Sequence, residues 1–116
     1  MDGPDEAEAR AAVARIARSR GLENKEIPRR LLRYLADRTL EGTAGALKEY
    51  TVGVECFAKP EGYDPQTDSS VRVHLGKLRK LLEEYAEGDG RDEALRVVLP
   101  MRQFALEFQP RAAVAP

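Results

Sequence analysis

Hydrophobic positions along the chain recur at two different periods. From residue 69 to 86, Val71, Leu75, Leu78, Leu82 and Tyr85 fall on one narrow stripe, with Leu81 and His74 on its flank, when each residue advances about 100° around an axis. That spacing predicts a helix. Further on, Leu95, Val97 and Leu99 share one side, as do Phe104, Leu106 and Phe108, and a two-residue repeat belongs to half-buried strands. Residues 95–108 therefore read as a β-hairpin that turns through Pro100 to Gln103 with a projecting tip.

Upstream, a first helix is expected from about Asp5 to Ser19, since Pro4 and Asp5 suit a helix start and Gly21 a stop. Its apolar seam, Ala9, Val13, Ile16 and Ala17, is thin, so the helix is expected to attach to the core from outside. A second helix starts near Pro28 and ends before Gly42, burying Leu31, Leu32, Leu35 and Leu40. A short third one falls within "KEYTVGVECFAK", followed by a loop, "PEGYDPQTD". Asp68 is the expected N-cap of the fourth helix and Gly88 its end.

The fold class is thus mainly α with a small β-hairpin. Three helices and then a hairpin is the element order of a winged helix-turn-helix, here with an extra N-terminal helix. Residues 1–26 form the helical extension, 27–109 the winged-helix domain, and 110–116 a tail or the start of a linker.

A chain of 116 residues bounds this to one domain. At 42% hydrophobic and 34% charged residues, with no run of about 18 apolar positions, it is expected to be soluble and cytoplasmic, with no membrane partner. One cysteine, Cys56, and one histidine, His74, cannot make an internal disulfide or a cysteine/histidine zinc cluster. No metal or cofactor is expected. Cys56 reads as a core thiol. Asp64, Asp68 and His74 have no catalytic spacing and no phosphate-cradling glycine loop is present, so an enzyme is not expected.

The net charge of −1 conceals a segregation. Residues 10–38 hold nine Lys/Arg against three acids, and residues 69–82 hold Arg72, Lys77, Arg79 and Lys80 against none. Blocks of one sign repel themselves and are often interaction surfaces. Opposite the apolar stripe of the fourth helix lie Ser69, Arg72, Val73, Gly76, Lys77 and Lys80. A mid-helix glycine costs roughly 1 kcal/mol relative to alanine, a cost that close approach of a partner explains better than fold stability does.

"SSVRVHLGKLRKLLEEY" followed by a strand pair resembles the recognition helix and wing of the OmpR/PhoB-type winged helix-turn-helix. "LLRYLADRTLEG", "LKEYTVGVECFAKPEGYDPQTDSSVRVHLGKLRKLLEEY" and "GRDEALRVVLP" look like the winged-helix module at the N-terminus of many multidomain bacterial proteins, ahead of TPR arrays or TolB-like propellers. This similarity runs from about Ile27 to Phe108. It implies a DNA-binding domain of a transcriptional regulator, with helix 69–86 in the major groove of double-stranded DNA and hairpin 95–108 as the wing. Arg72, Gly76, Lys77, Arg79 and Lys80 fall where those relatives present DNA-contacting side chains, and His74 matches their histidine.

With Ser69 and Val73 from the same face and Arg102 from the hairpin tip, these make up the expected DNA-binding set. One departure is visible. The turn "PMRQF" contains no glycine, so positive φ is harder to reach and the wing is expected to differ in shape. One helix reads few bases, so a homodimer or tandem pair on half-sites about 10 bp apart is expected. Further domains of a longer chain are expected after "RAAVAP". The alternative is a winged helix used for protein–protein contact or oligomerisation, favoured by the near-zero net charge, the altered turn and the arginine-rich outer face of the first helix.

Overall fold

The computed structural model describes residues 5–111. They form helices α1 (Glu6–Ala17), α2 (Glu26–Leu40), α3 (Glu49–Phe57) and α4 (Ser70–Glu87), a 3-10 turn at Ala44–Ala46, and strands β1 (Leu95–Val98) and β2 (Glu107–Pro110). The strands pair antiparallel, from Leu95 opposite Pro110 to Val98 opposite Glu107. The chain is therefore mainly helical with a two-strand hairpin, as the two hydrophobic periods predict. Among the described residues no helix is long and apolar enough to cross a membrane.

Helix α1 opens with reciprocal capping. The Glu8 amide donates to the Asp5 carboxylate at 2.8 Å, and the Asp5 amide donates back to Glu8 at 3.5 Å. Its thin seam is deeper in the protein than expected, because Ala12, Val13 and Ile16 join the same buried cluster as Leu31, Leu35 and Leu78. Small alanines let the helix backbone sit close to its neighbours. Its arginines then tie down at the edges, Arg10 to Asp37 at 2.8 Å and Arg15 to Glu93 at 2.7 Å, while Arg20 in the following turn meets Asp89 at 2.9 Å. These side chains engage acids of the chain itself.

Leu31, Leu32 and Leu35 of α2 are fully buried, while Leu40 is only partly so. In α3, Gly53 faces the ring of Tyr63, and a Cβ built there would lie 2.5 Å from a ring carbon. Glycine is needed at this close crossing. The helix ends on Ala58 in the left-handed conformation (φ 53°), which lets the Lys59 amide donate to the Gly53 carbonyl at 3.0 Å.

Helix α4 turns Val71, Leu75, Leu78 and Leu82 inward. The N-cap position falls to Ser69, whose side chain makes no cap bond, and not to Asp68 as expected. Asp68, one residue earlier, accepts a hydrogen bond from the Ser70 amide at 2.9 Å on one oxygen and from Lys59 Nζ at 2.9 Å on the other, so it still satisfies one free amide of the first turn. The amide bond first, and the ammonium after it, pull the Asp68 carboxyl down from 3.8 to about 2.

The hairpin departs from the sequence expectation in its second half. Leu95, Val97 and Leu99 are buried as the alternation predicts, but Phe104 and Leu106 lie ahead of the paired strand. Residues 99–106 make a wide connection in place of a tight turn. Leu106 donates its amide to Thr39 Oγ1 of α2 at 3.0 Å, a substitute for a ladder bond. Arg102 adopts φ 64°, so the positive φ expected to be hard without glycine is taken by an arginine. Pro110, assigned to the tail, pairs in β2, and Arg111 donates to the Ala94 carbonyl at 2.9 Å through its amide and to the Ala86 carbonyl at 2.6 Å through its guanidinium. Residues 112–116 of the expected tail lie outside the described residues, as do residues 1–4 of the extension.

Candidate functional site

With the Val71/Leu75/Leu78 stripe inside, the opposite side of α4 faces outward. Ser69, Arg72, Val73, Lys77 and Lys80 are exposed and Gly76 is half-buried. Val73 keeps 48% of its surface open, high for an aliphatic side chain. A Cβ at Gly76 would meet nothing within 4 Å, so packing does not require glycine there. Lys77 and Lys80 enter no ion pair among the described residues.

The two arginines of this helix behave differently from the lysines. Arg72 Nη1 donates to both carboxylate oxygens of Glu49, each at 3.0 Å, and to the Pro65 carbonyl at 2.9 Å. Glu49 comes from the first turn of α3, so the acid-free stretch 69–82 acquires an acid from a neighbouring helix. Arg79 is half-buried and turned towards the hairpin. Its Nε donates to the Leu99 carbonyl at 2.9 Å and its Nη2 to the Pro100 carbonyl at 3.4 Å. Those carbonyls lie just past the end of the ladder, where strand pairing no longer satisfies them. Arg79 therefore fastens the hairpin to α4 and is separate from the exposed set.

His74 packs its ring against Phe57, with centroids 5.0 Å apart and planes tilted by 30°. Burial first, then the nearby Lys77 and Lys59, lower its pKa from the ordinary 6.5, which favours the neutral imidazole. It borders a groove of about 480 Å³ between the start of α2 and α4, lined also by Lys25, Pro28, Lys77, Lys80, Leu81 and one acid, Glu84. Lys25 is a cation of this surface that the helix pattern missed. It lies more than 45 residues upstream and only folding brings it alongside.

Arg102 is exposed at the hairpin connection. It lines a second groove, about 380 Å³, with Glu49, Arg72, Arg79 and Met101, so the connection bends over beside the first half of α4. Cys56 is buried, and burial pushes its thiol up to about 11. A thiol held protonated at neutral pH is a poor nucleophile. No group of three or more His, Cys, Asp or Glu side chains among the described residues could hold a metal ion. Comparison with known protein families, curated proteins and solved structures finds no match to this chain.

Proposed function

We propose that α2, α3, α4 and the hairpin form a winged helix-turn-helix that binds double-stranded DNA, as a bacterial transcriptional regulator module acting in the cytoplasm. The observation that carries this reading is the outer face of α4. Lys77 and Lys80 are exposed and unpaired among the described residues, Val73 is open to solvent, and Gly76 is a glycine that packing does not need. A helix enters a major groove when its backbone can come close and its cations meet phosphates.

In this mechanism Lys77, Lys80 and Lys25 neutralise backbone phosphates, and the neutral His74 ring donates an N–H to a phosphate oxygen. Arg72 and Val73 reach base edges, with Ser69 beside them at the helix start. Arg79 acts indirectly by holding the hairpin, whose Arg102 reaches the flanking backbone as the wing. Two such domains, as a homodimer or in tandem on repeated half-sites, give a useful site length. The test is a gel shift with mixed-sequence duplex at about 50 mM salt. Binding should weaken steeply as salt rises, and Lys77→Glu should abolish the shift. Absence of any shift at that salt sinks the proposal.

A protein-contact role for this side of the molecule is favoured by one observation, the exposure of two large apolar side chains, Val73 on α4 (48%) and Met101 (68%), the latter in the groove with Arg72 and Arg102. It requires a complex or dimer in light scattering that Val73→Asp dissolves, together with no DNA shift.

A further inference from the structure

The bonding of Arg72 is asymmetric. All of its contacts run through Nη1, whose two N–H groups are used up by the Glu49 carboxylate and the Pro65 carbonyl. The Nε–H and the two N–H groups of Nη2 donate to nothing among the described residues, and the side chain is 52% exposed against 20% for Glu49. A guanidinium held this way has lost one edge to the protein. The other edge is a ready fork of two parallel donors, and its orientation is set by a carboxylate on a different helix.

We infer that Glu49 is a positioning residue for base recognition. It fixes Arg72 so that the free Nε/Nη2 edge reads the O6 and N7 acceptors of a guanine in the major groove. This inference rests on the DNA-binding proposal above and assigns within it which side chain specifies sequence.

Three features of the site support it. Guanine is the base that presents two adjacent acceptors to such a fork. An unrestrained arginine on a cationic face would settle on any phosphate, whereas the Glu49 carboxylate repels phosphate oxygens from the vicinity of Arg72 and leaves that contact to Lys77 and Lys80. Finally, the only other arginine of α4, Arg79, is committed to the Leu99 and Pro100 carbonyls. The lysines carry no planar fork and nothing among the described residues orients them, so Arg72 is the α4 side chain pre-organised for a bidentate base contact.

The experiment selects bound sequences from a duplex library with a randomised central segment, using the full chain as wild type, Glu49→Gln and Arg72→Ala. Wild type should enrich a guanine at one fixed position per half-site. Replacing that guanine with 7-deazaguanine, which lacks the N7 acceptor, should weaken wild type and leave Arg72→Ala unchanged. Arg72→Ala should lose roughly 5- to 150-fold of the discrimination for guanine. Glu49→Gln should bind mixed duplex at least as tightly as wild type, because a negative charge has gone, while its guanine enrichment disappears.

Thermal melting of each variant checks that it folds, and Glu49→Asp, which shortens the arm and keeps the charge, should also lose enrichment without gaining affinity for mixed duplex. Unchanged guanine enrichment in Glu49→Gln, or indifference of wild type to 7-deazaguanine, overturns the inference and leaves DNA binding standing. Recovery of no duplex by wild type overturns both.

Discussion

On the DNA-binding proposal, stability and binding separate at Gly76. It sits in the middle of α4, where glycine is less favourable than alanine by about 1 kcal/mol, and a methyl group there would touch nothing. Gly76→Ala should therefore raise the melting temperature by about 4 °C, read by circular dichroism, while weakening the DNA shift because the backbone can no longer approach as closely. Stabilisation with unchanged binding would remove Gly76 from the interface. Gly53 gives the opposite case, since there the added carbon would run into the Tyr63 ring at 2.5 Å. Both glycines are legible in the sequence only as interruptions of a helix. Which is a packing requirement and which is open surface depends on Tyr63, which reaches α3 across a loop.

Between elements, the junction of α3 and α4 hangs on Asp68. Its carboxylate receives the Ser70 amide and Lys59, and its folded pKa of about 2 lies below the ordinary 3.8. A group whose pKa is depressed on folding stabilises the protein above its unfolded value and loses that contribution as pH falls towards the folded one. Stability should thus hold steady above about pH 5 and decline from pH 4 towards pH 2. In Asp68→Asn this part of the decline should vanish and the pH 7 stability should drop, both measurable by thermal melts across that range. An identical pH profile in wild type and variant would show that the Asp68 contacts contribute nothing.

Although the helix starts one residue later than expected and its N-cap is Ser69, the bond from Asp68 to a first-turn amide was readable from "TDSSV" alone, because it spans two residues. The hairpin connection was not. Its alternating apolar positions mark extended chain, but whether extended chain pairs with its neighbour or leans on a helix is decided by partners such as Thr39 and Arg79, distant in sequence.

For the whole molecule, the position of α1 is the main revision. A seam of alanines with one valine and one isoleucine looks too thin to matter, yet Ile16 is only 2% exposed and belongs to the cluster that holds Leu31, Leu35 and Leu78. Ile16→Ala should accordingly destabilise the whole unit, by about 2–5 kcal/mol for a buried isoleucine, seen as a lower urea midpoint of a single transition. A helix merely resting on the surface would leave that midpoint unchanged. The arginines of this segment likewise change meaning once folded, since acids from α2 and from the turn after α4 meet Arg10, Arg15 and Arg20. Three arginines of what had looked like a basic outer face are tethers, each worth little individually at such exposure.

The sequence alone was sufficient for the properties that repeat along a single element. The inward stripe of α4, the alternation of Leu95, Val97 and Leu99, the bond from Asp68 to the Ser70 amide and the acid-free run of cations over residues 69–82 are all written at short spacings, the range over which backbone geometry relates side chains directly. Tertiary structure alone decided which of those cations remain free. Glu49 reaches Arg72 from another helix, the carbonyls of Leu99 and Pro100 take Arg79 from beyond the end of β1, and Lys25 joins Lys77 and Lys80 across a groove. Charge pairing depends on distance in space, and no local period in the chain encodes the distance between two helices.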